Sequence, residues 1–540
     1  MRSGFLVAFL AGCTSTGSLD LELSLPTAMD LRPTGMQTIT VLAQSPDLAP
    51  VANTAVIDKN GHFAAGDVPV GKGIQVDVLL RDFSSRLVGV GEAPQLVDIT
   101  GDQTAQLTIP VRKPFVYAAS STQLFSYDAS IDARETKFQG ALAGVSSPTL
   151  AISLGGDRLI VASGTKLQVV DTATNNVMGN TITVPGTIND AAPVPGRHLV
   201  VVGHASGLST VDIDTGQVTN IAGPPVDRVA VGGGGTGPGL TAYGLVGRVA
   251  PSDGPNNTCS GTSQLVSTPI DAPASSVTAM PITQGGVSDI ASSPATASVW
   301  ATLPCVGKVV SLSGEATQSV DLERAAALAI AGDRVWAIGS KAPMPVCFDT
   351  SFNPEPCPAN PTGMCTQGMY SSGAIGWADP GAKLVVESIP LAGGSPIEID
   401  LPERRETMLD AGDPRDSAHE NARVLHPLYF EPLDIVVLPG SQFIAVVTKS
   451  TYYTMEFIGP TSAGTAVILP CLTATTGDWL LIDAASSSVA ERVRTECDLT
   501  YGLNDVTVFQ TWMCADPPAG EQNTLAPYLP TTVGALFGAR

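Results

Sequence analysis

Residues 148–177, PTLAISLGGDRLIVASGTKLQVVDTATNNV, decide the fold. An apolar segment is followed by a Gly-Gly-Asp turn, a second apolar segment RLIVAS, a third segment KLQVVD, and a polar turn TATNN. Short apolar runs bounded by turn residues predict buried strands. The same order returns at 188–218, INDAAPVPGRHLVVVGHASGLSTVDIDTGQV. The chain therefore contains a repeated unit of short strands.

Equivalent second strands recur further along the chain, as FVYAAS at Phe115, SVWATL at Ser298, RVWAIG at Arg334 and QFIAVV at Gln442. A spacing near 40 residues with four strands a unit is typical of β-propeller blades. We predict seven units, with six or eight left open: 115–145, 146–186, 187–225, 226–283, 284–323, 324–402 and 423–503. The first unit lacks an inner strand, which DVTVFQ at 505–510 could supply.

These units resemble the YVTN-type bacterial surface propellers, most closely in GGDRLIVASGTKLQVVDTATNNV and moderately in the unit that begins at Ile188. The resemblance extends over about residues 115–510 and is strong only within 146–220. It implies a propeller domain, which we assign to residues 114–540.

Residues 21–113 predict a separate β-sandwich, because about seven alternating segments fall between turns such as Lys59-Asn60-Gly61. The stretch AVIDKNGHFAAGDVPVG resembles the carboxypeptidase-regulatory or transthyretin-like sandwiches in its rhythm. The expected fold class is all-β, with this small sandwich holding the propeller off a membrane.

Composition supports strands and argues against nucleic acid. Of 540 residues, 14% are charged and 44% hydrophobic, and the chain has 55 Gly and 42 Pro, so turns are frequent. The formal net charge of −22 opposes phosphate backbones, which proteins bind through Lys and Arg.

The amino-terminal segment predicts export and lipid attachment. The apolar run FLVAFLAG follows Met1-Arg2-Ser3, and Leu10-Ala11-Gly12-Cys13 resembles the lipobox of bacterial lipoproteins. That resemblance implies a signal peptide over 1–12, a lipid on Cys13, and a tether over 13–20. Thr14 in place of Asp implies the outer membrane of a Gram-negative cell, periplasmic or surface-facing. The alternative is an ordinary secretory signal.

Eight further cysteines remain, and an exported chain meets an oxidising compartment, so we expect four disulfides. Closeness and repeat position favour Cys259 with Cys305, and Cys471 with Cys497. The remaining candidates are Cys347, Cys357, Cys365 and Cys514. Their spacings fit zinc poorly, since no C-x-x-C pair occurs.

Other motifs predict structure more readily than chemistry. The segment at 212–216, DIDTG, begins like a calcium loop but lacks the Glu at its twelfth position, which favours a β-turn. The acidic segment 410–421 favours a solvated insertion, and the glycine run 231–239 lacks the Lys-Ser/Thr ending of a P-loop. Three histidines, His198, His204 and His426, lack an evident partner that would orient them for catalysis. Two tryptophans at matching repeat positions, Trp300 and Trp336, favour core packing over stacking on sugars.

Extra residues interrupt the repeats at about 250–272, 341–378, 403–425 and 515–530. Because binding is often carried by loops on a rigid scaffold, these insertions predict a binding or assembly scaffold for an envelope protein or glycan. The sequence predicts no catalytic, cofactor-binding or metal residue and no cofactor. The alternative is an enzyme of the lactone hydrolase or oxidoreductase type, which would place Asp, Glu, His or Arg at the channel mouth with a bound ion.

Overall fold

The computed structural model describes the chain from residue 16 to residue 538, with gaps between and within its strands. The gaps of seven or more residues are 25–37, 129–137, 252–258, 356–373, 410–421, 459–466, 502–512, 515–524 and 527–535. All elements in the described residues are β-strands, and none of these residues forms a helix long and apolar enough to cross a membrane. The expectation of an all-β protein is confirmed.

The amino-terminal β-domain is one connected set of eight strands. In chain order they are β1 (Thr16–Ser24), β2 (Thr38–Ser45), β3 (Leu48–Val56), β4 (His62–Pro69), β5 (Gly71–Arg81), β6 (Leu87–Glu92), β7 (Val97–Ile99) and β8 (Thr104–Arg112). They pair in the order β3-β2-β5-β6-β8-β1-β4, with β7 on β5. Alternate residues of these strands meet in a single apolar core that includes Leu19, Val41, Ile74 and Ile109, as in a β-sandwich.

Two features of this domain differ from the expectation. Strand β1 begins at Thr16, so most of the predicted tether over 13–20 is strand. Leu19 and Leu21 are both fully buried, and this alternation continues the strand upstream of residue 21. Strand β3 was not predicted, because LAPVANTAV contains Pro50 and lacks a polar-apolar alternation. Pro is tolerated on an edge strand, which is where β3 lies in the pairing order.

The rest of the chain forms successive antiparallel sheets, which we call blade sheets 1 to 7. Sheet 1 contains β9 (Phe115–Ala119), β10 (Leu124–Asp128) and β11 (Phe138–Ala141). Sheet 2 contains β12 (Leu150–Leu154), β13 (Arg158–Ser163), β14 (Lys166–Asp171) and β15 (Asn176–Thr183). Sheet 3 contains β16 (Ile188–Pro193), β17 (Leu199–His204), β18 (Gly207–Asp212) and β19 (Val218–Ala222). Sheet 4 contains β20 (Arg228–Gly233), β21 (Leu240–Val246), β22 (Ser263–Pro269) and β23 (Thr278–Ile282).

Among the remaining sheets, 6 and 7 carry additional strands. Sheet 5 contains β24 (Asp289–Ser292), β25 (Val299–Leu303), β26 (Lys308–Ser311) and β27 (Ser319–Asp321). Sheet 6 contains β28 (Ala327–Ala331), β29 (Arg334–Lys341), β33 (Lys383–Pro390) and β34 (Ile397–Glu398), interrupted by a small sheet of β30 (Pro345–Phe348), β31 (Pro354–Glu355) and β32 (Ala374–Trp377). Sheet 7 is built on β35 (Glu406–Leu409), β36 (Ala422–Val437), β37 (Phe443–Thr454), β40 (Leu472–Asp483) and β41 (Ser488–Tyr501), with β38 (Phe457–Ile458) paired to β39 (Val467–Ile468) beside it. The last strands are β42 (Met513–Cys514), β43 (Leu525–Ala526) and β44 (Leu536–Gly538).

The first strands of neighbouring sheets contact one another in a closed cycle. Strand β12 contacts β16, and the contacts continue through β20, β24, β28, β36 and β44 back to β12. This cycle is the arrangement of a β-propeller, with the first strand of each sheet at the central channel. The predicted count of seven blades is consistent with the cycle and stays a prediction.

Apolar layers between consecutive sheets hold this cycle together. One cluster joins sheets 1, 2 and 3, and others join 3 with 4, 4 with 5, 5 with 6, and 6 with 7. A middle strand such as β17 is therefore covered on both faces, and five of its six residues are buried. This explains why the repeats read as continuous apolar runs. Outer strands such as β15 are mostly exposed.

The carboxyl-terminal strand closes the ring. Strand β44 pairs with β9 antiparallel, with Phe537 opposite Tyr117, and so supplies the first strand that sheet 1 lacks. The prediction had assigned that role to residues 505–510, which lie outside the described residues. An open strand edge can be completed by any short extended segment, because the backbone makes the bonds. The apolar pattern therefore could not distinguish the two segments.

Strand order divides the connections of each sheet between two faces of the ring. Since the strands alternate in direction, the connection between strands two and three lies at the face where strand one begins, as does the connection from strand four to the next sheet. Four long connections are of this kind: between β21 and β22, β29 and β33, β34 and β36, and β41 and β44. They overlap the four predicted insertions, but two bounds were wrong, because 250–272 includes the blade strand β22 and 403–425 includes β35 and the start of β36. We call this face the insertion face.

Close packing between sheets 3 and 4 depends on Gly203 in β17. A Cβ built there would lie 2.6 Å from Val229 Cγ2 and 2.8 Å from Val226 Cγ1. We expect Gly203→Ala to lower the stability by about 1–3 kcal/mol, because the added methyl overfills a packed core. Calorimetry should show a lower thermal midpoint. Thr219→Ala on the exposed outer strand β19 is the control and should change stability by less than about 0.5 kcal/mol. An unchanged midpoint for Gly203→Ala would contradict this packing.

Candidate binding site at the channel mouth

A group of charged side chains lies on the channel strands: Arg228 and Asp289 begin β20 and β24, Asp190 is near the start of β16, and Asp434 is near the end of the long strand β36. Asp190, Arg228, Asp289 and Asp434 belong to β16, β20, β24 and β36, and Ala327 occupies the corresponding place in β28. Four neighbouring or near-neighbouring sheets thus each contribute one charged side chain to the channel mouth.

Two of the carboxylates join neighbouring sheets through the backbone. Asp190 Oδ2 accepts a hydrogen bond from the Val229 amide at 2.7 Å, and Asp289 Oδ2 accepts one from the Leu328 amide at 3.0 Å. Both donors directly follow the equivalent position in the neighbouring sheet, so the interaction repeats. Asp434 Oδ1 accepts from its following amide, that of Ile435, at 2.9 Å.

Arg228 is the cation at the centre of this group. Its Nε lies 3.5 Å from Asp289 Oδ1, and the two side chains keep 25% and 14% of their surface exposed. These exposures mean that water reaches the pair, although protein surrounds it. Burial alone would lower the pKa of Arg228, but the charges of Asp190, Asp289 and Asp434 together raise it. The guanidinium stays charged.

Burial raises the pKa of all three carboxyl groups, whereas an exposed ion pair lowers the pKa of its carboxyl group. Desolvation raises the pKa of Asp190 to about 6, against the attraction of Arg228. Desolvation also raises the pKa of Asp289 and raises that of Asp434 well above its ordinary value. Burial disfavours the charged form of a carboxyl group, and nearby carboxylates add to the effect. The group therefore takes up protons more readily than exposed Asp residues.

A second arginine lies at the rim of the mouth. Arg248, in the connection after β21, donates from Nε to the Ser288 carbonyl at 2.9 Å. Burial and then the positive charge of Arg228 lower its pKa. Asp227 fixes this connection, since its Oδ2 accepts from the amides of Gly247 and Arg248, both at 2.9 Å. The backbone of the connection thus holds Arg248 in place.

A disulfide between Cys259 and Cys305 lies at the same face. It joins the second-to-third-strand connections of sheets 4 and 5, so it links two neighbouring blades. This is the pair that the sequence favoured. Cys13, Cys357, Cys365 and Cys471 lie outside the described residues, and the side chains of Cys347, Cys497 and Cys514 are not among those described.

The histidines described in the structure have structural partners. His204 is fully buried, its Nε2 lies 2.8 Å from Ser209 Oγ, and its Nδ1 accepts from the Ser206 amide at 3.1 Å. Desolvation lowers the pKa of His204, so the ring is neutral. His198 Nδ1 lies 2.8 Å from Asp214 Oδ2, at the face opposite the insertion face. His426 is in β36, where its side chain is not described.

The segment at 212–216 is a turn, as its sequence favoured. Asp212 Oδ1 accepts from the Thr215 amide at 2.8 Å, and Asp214 forms an ion pair with Arg158 of the preceding sheet. These carboxylates are used within the protein. The glycine run 231–239 begins inside β20 and continues into the connection to β21, with residues 234–238 outside the described ranges. The acidic segment 410–421 also lies outside them.

The two matching tryptophans belong to the core. Trp300 and Trp336 are 1% and 2% exposed, and they pack in the apolar layers of sheets 5 to 7. They therefore do not offer a stacking surface for sugars. Among the residues that the structure describes, no group of three or more His, Cys, Asp or Glu side chains is arranged to hold a metal ion.

Comparisons with known proteins give little beyond the fold class. No family model matches the chain, and no curated protein matches it. Among solved structures, a chain of a nidogen/laminin complex is similar, with 8% identity, a TM-score of 0.29, and coverage of 53% of this chain and 93% of that chain. A similarity at this level does not carry function to this chain. The chain is an all-β protein with a propeller-like arrangement of sheets.

The raised pKa values of these three carboxyl groups predict that their contribution to stability falls as pH rises. Because the folded state binds these protons more tightly than the unfolded state, protonation favours folding. The loss for Asp190 falls between its unfolded pKa near 4 and its folded pKa of about 6, and the raised pKa of Asp434 gives a loss of the same sign. We expect Asp434→Asn to raise the thermal midpoint at pH 8 and to leave it nearly unchanged at pH 4.

Asp214→Asn is the matched control with the opposite sign. Burial raises the pKa of Asp214, but hydrogen bonds from His198 and Arg158 outweigh that effect and lower it. This substitution should lower the midpoint at pH 8 and have less effect in acid. If Asp434→Asn destabilised the protein at pH 8 as Asp214→Asn does, ionisation of Asp434 would not be unfavourable in the fold.

Proposed function

We propose that the chain is a lipoprotein of the Gram-negative outer membrane, anchored through Cys13, whose seven-bladed propeller binds an envelope protein or glycan through the insertion face. The observation that carries the proposal is that one face of the ring holds the four long connections, the Cys259–Cys305 disulfide and the charged mouth. Connections at the opposite face are shorter: five residues separate β18 from β19, and nine separate β10 from β11.

Three properties of the insertion face support binding. Its connections are long, and loops on a rigid scaffold carry binding sites disproportionately. The disulfide restrains two of them, which lowers the ordering cost of binding. Val306, beside Cys305, is 49% exposed, a high value for a large apolar side chain. A partner that covered this loop would remove that surface from water.

Crosslinking in the intact envelope tests the binding face. A photoreactive amino acid in place of Val306 should yield a discrete adduct with one envelope component, which mass spectrometry would identify. The same amino acid in place of Gln217, an exposed residue in the β18–β19 turn on the opposite face, is the control. Equal labelling from both positions, or none above background from Val306, would count against the insertion face as the binding surface.

Anchoring is tested separately on the native protein. Mass spectrometry should find an amino terminus at Cys13 carrying acyl chains, and Cys13→Ser should move the protein from the membrane fraction to the soluble fraction. Two or three chains give stable anchoring at about 0.8 kcal/mol for each buried methylene. An unacylated amino terminus away from Cys13 would refute the anchor.

The second candidate function is a propeller enzyme of the lactone hydrolase or oxidoreductase type, with its site at the channel. The group of Asp190, Asp289, Asp434 and Arg228 favours it, because perturbed carboxyl groups beside a fixed cation are typical of catalytic sites. Purified protein should then turn over a lactone or reducible substrate, and Asp434→Asn should remove most of that activity. Absence of turnover across a lactone panel would exclude the hydrolase form.

A further inference from the structure

Only a few residues separate the proposed lipid at Cys13 from the first strand of the folded domain. Strand β1 begins at Thr16, three residues after Cys13. Fully extended chain spans at most about 3.6 Å per residue, so the start of β1 lies within about 11 Å of the lipidated residue. A flexible tether of the predicted length would have allowed the domain to move freely above the membrane. The structure does not provide one.

Strand direction shows which end of the amino-terminal β-domain faces the lipid. Strands β1 and β8 are parallel, from Ser18 opposite Thr104 to Ser24 opposite Pro110. Strand β4 runs back beside β1, which places Pro69 opposite Thr16. The end nearest Cys13, which we call the near end, therefore contains the starts of β1, β5 and β8 and the end of β4.

The other end of the domain, the far end, meets the propeller. Strand β8 finishes there at Arg112, and β9 of sheet 1 begins three residues later, at Phe115. As the second strand of its sheet, β9 starts at the face opposite the insertion face. Arg81, at the end of β5, lies close enough to Asp483 for that charge to act on its pKa, which burial lowers overall. Asp483 ends β40, again at the opposite face.

We infer that the near end of the β-domain rests on the lipid headgroups and that the insertion face of the propeller is turned away from the membrane. The inference depends on the proposed lipid at Cys13. Its geometric basis is the short chain from Cys13 to β1, the parallel pairing of β1 with β8, and the start of β9 at the opposite face.

The domain then acts as a spacer of fixed length. Nine residues of β1 span about 30 Å at 3.3 Å per residue, which is the height at which the propeller begins. The near end offers polar, exposed residues to the headgroup layer, among them Lys72 and Gln103. A lysine at this position favours anionic phosphate groups. The insertion face is left open to partners on the side away from the lipid.

Photocrosslinking to lipid tests this orientation in the full-length, membrane-bound protein. A photoreactive amino acid in place of Lys72 or Gln103 should give lipid adducts at least tenfold more often than one in place of Ser24, an exposed residue at the far end of β1. A second form carries ten Gly and Ser residues inserted between Ser15 and Thr16. This insertion extends the tether by roughly 20 Å and should reduce the near-end adducts several-fold.

The outcomes separate this inference from the proposed anchor. Acylated Cys13 with equal lipid adducts from Lys72, Gln103 and Ser24 would overturn the orientation and leave the anchor standing. The same holds if the inserted residues leave the near-end adducts unchanged. An unacylated Cys13 would overturn both. Acylated Cys13 with near-end adducts that fall on insertion supports both.

Discussion

The propeller depends on sheets that are apolar on both faces. A sheet such as that of β16–β19 can bury both faces only between two others, and a row of such sheets avoids exposed ends only by closing on itself. Strand β44, the last strand in the chain order, closes the ring by pairing with β9. The favourable free energy of burial is roughly proportional to the apolar area removed from water. Ring closure therefore stabilises every sheet, because no sheet is left with an uncovered apolar face.

Ring closure also explains why charged side chains from several sheets lie together at the channel mouth. The first strands line the channel, so charged residues at matching positions of neighbouring repeats come together there. Asp190 and Asp289 each accept an amide hydrogen bond from the next sheet, and Arg228 balances part of their charge. The group both links blades and presents a partly accessible polar surface at the mouth. The group lies at the same face as the long connections.

The apolar repeats could be predicted from the sequence because a strand buried on both faces has an uninterrupted apolar run, such as LVVVGH in β17. The sequence also predicted the Cys259–Cys305 pair, since both residues occupy the same connection in adjacent repeats. It missed Asp190, Asp289 and Asp434, because a single Asp before an apolar strand is typical of a turn. Their shared position before AA, IA and IV was the available signal. Strand β44 has only three residues, and backbone pairing of that kind leaves little trace in side-chain pattern.

The central claim is that the lipid, the amino-terminal β-domain and the ring are arranged in line, with the insertion face outermost. Electron cryotomography of the acylated protein on lipid vesicles tests it most directly. The account predicts ring-shaped density whose lower face stands about 30 Å above the headgroups, with the small domain filling the gap. Rings lying against the bilayer, or at heights spread over a wide range, would contradict it.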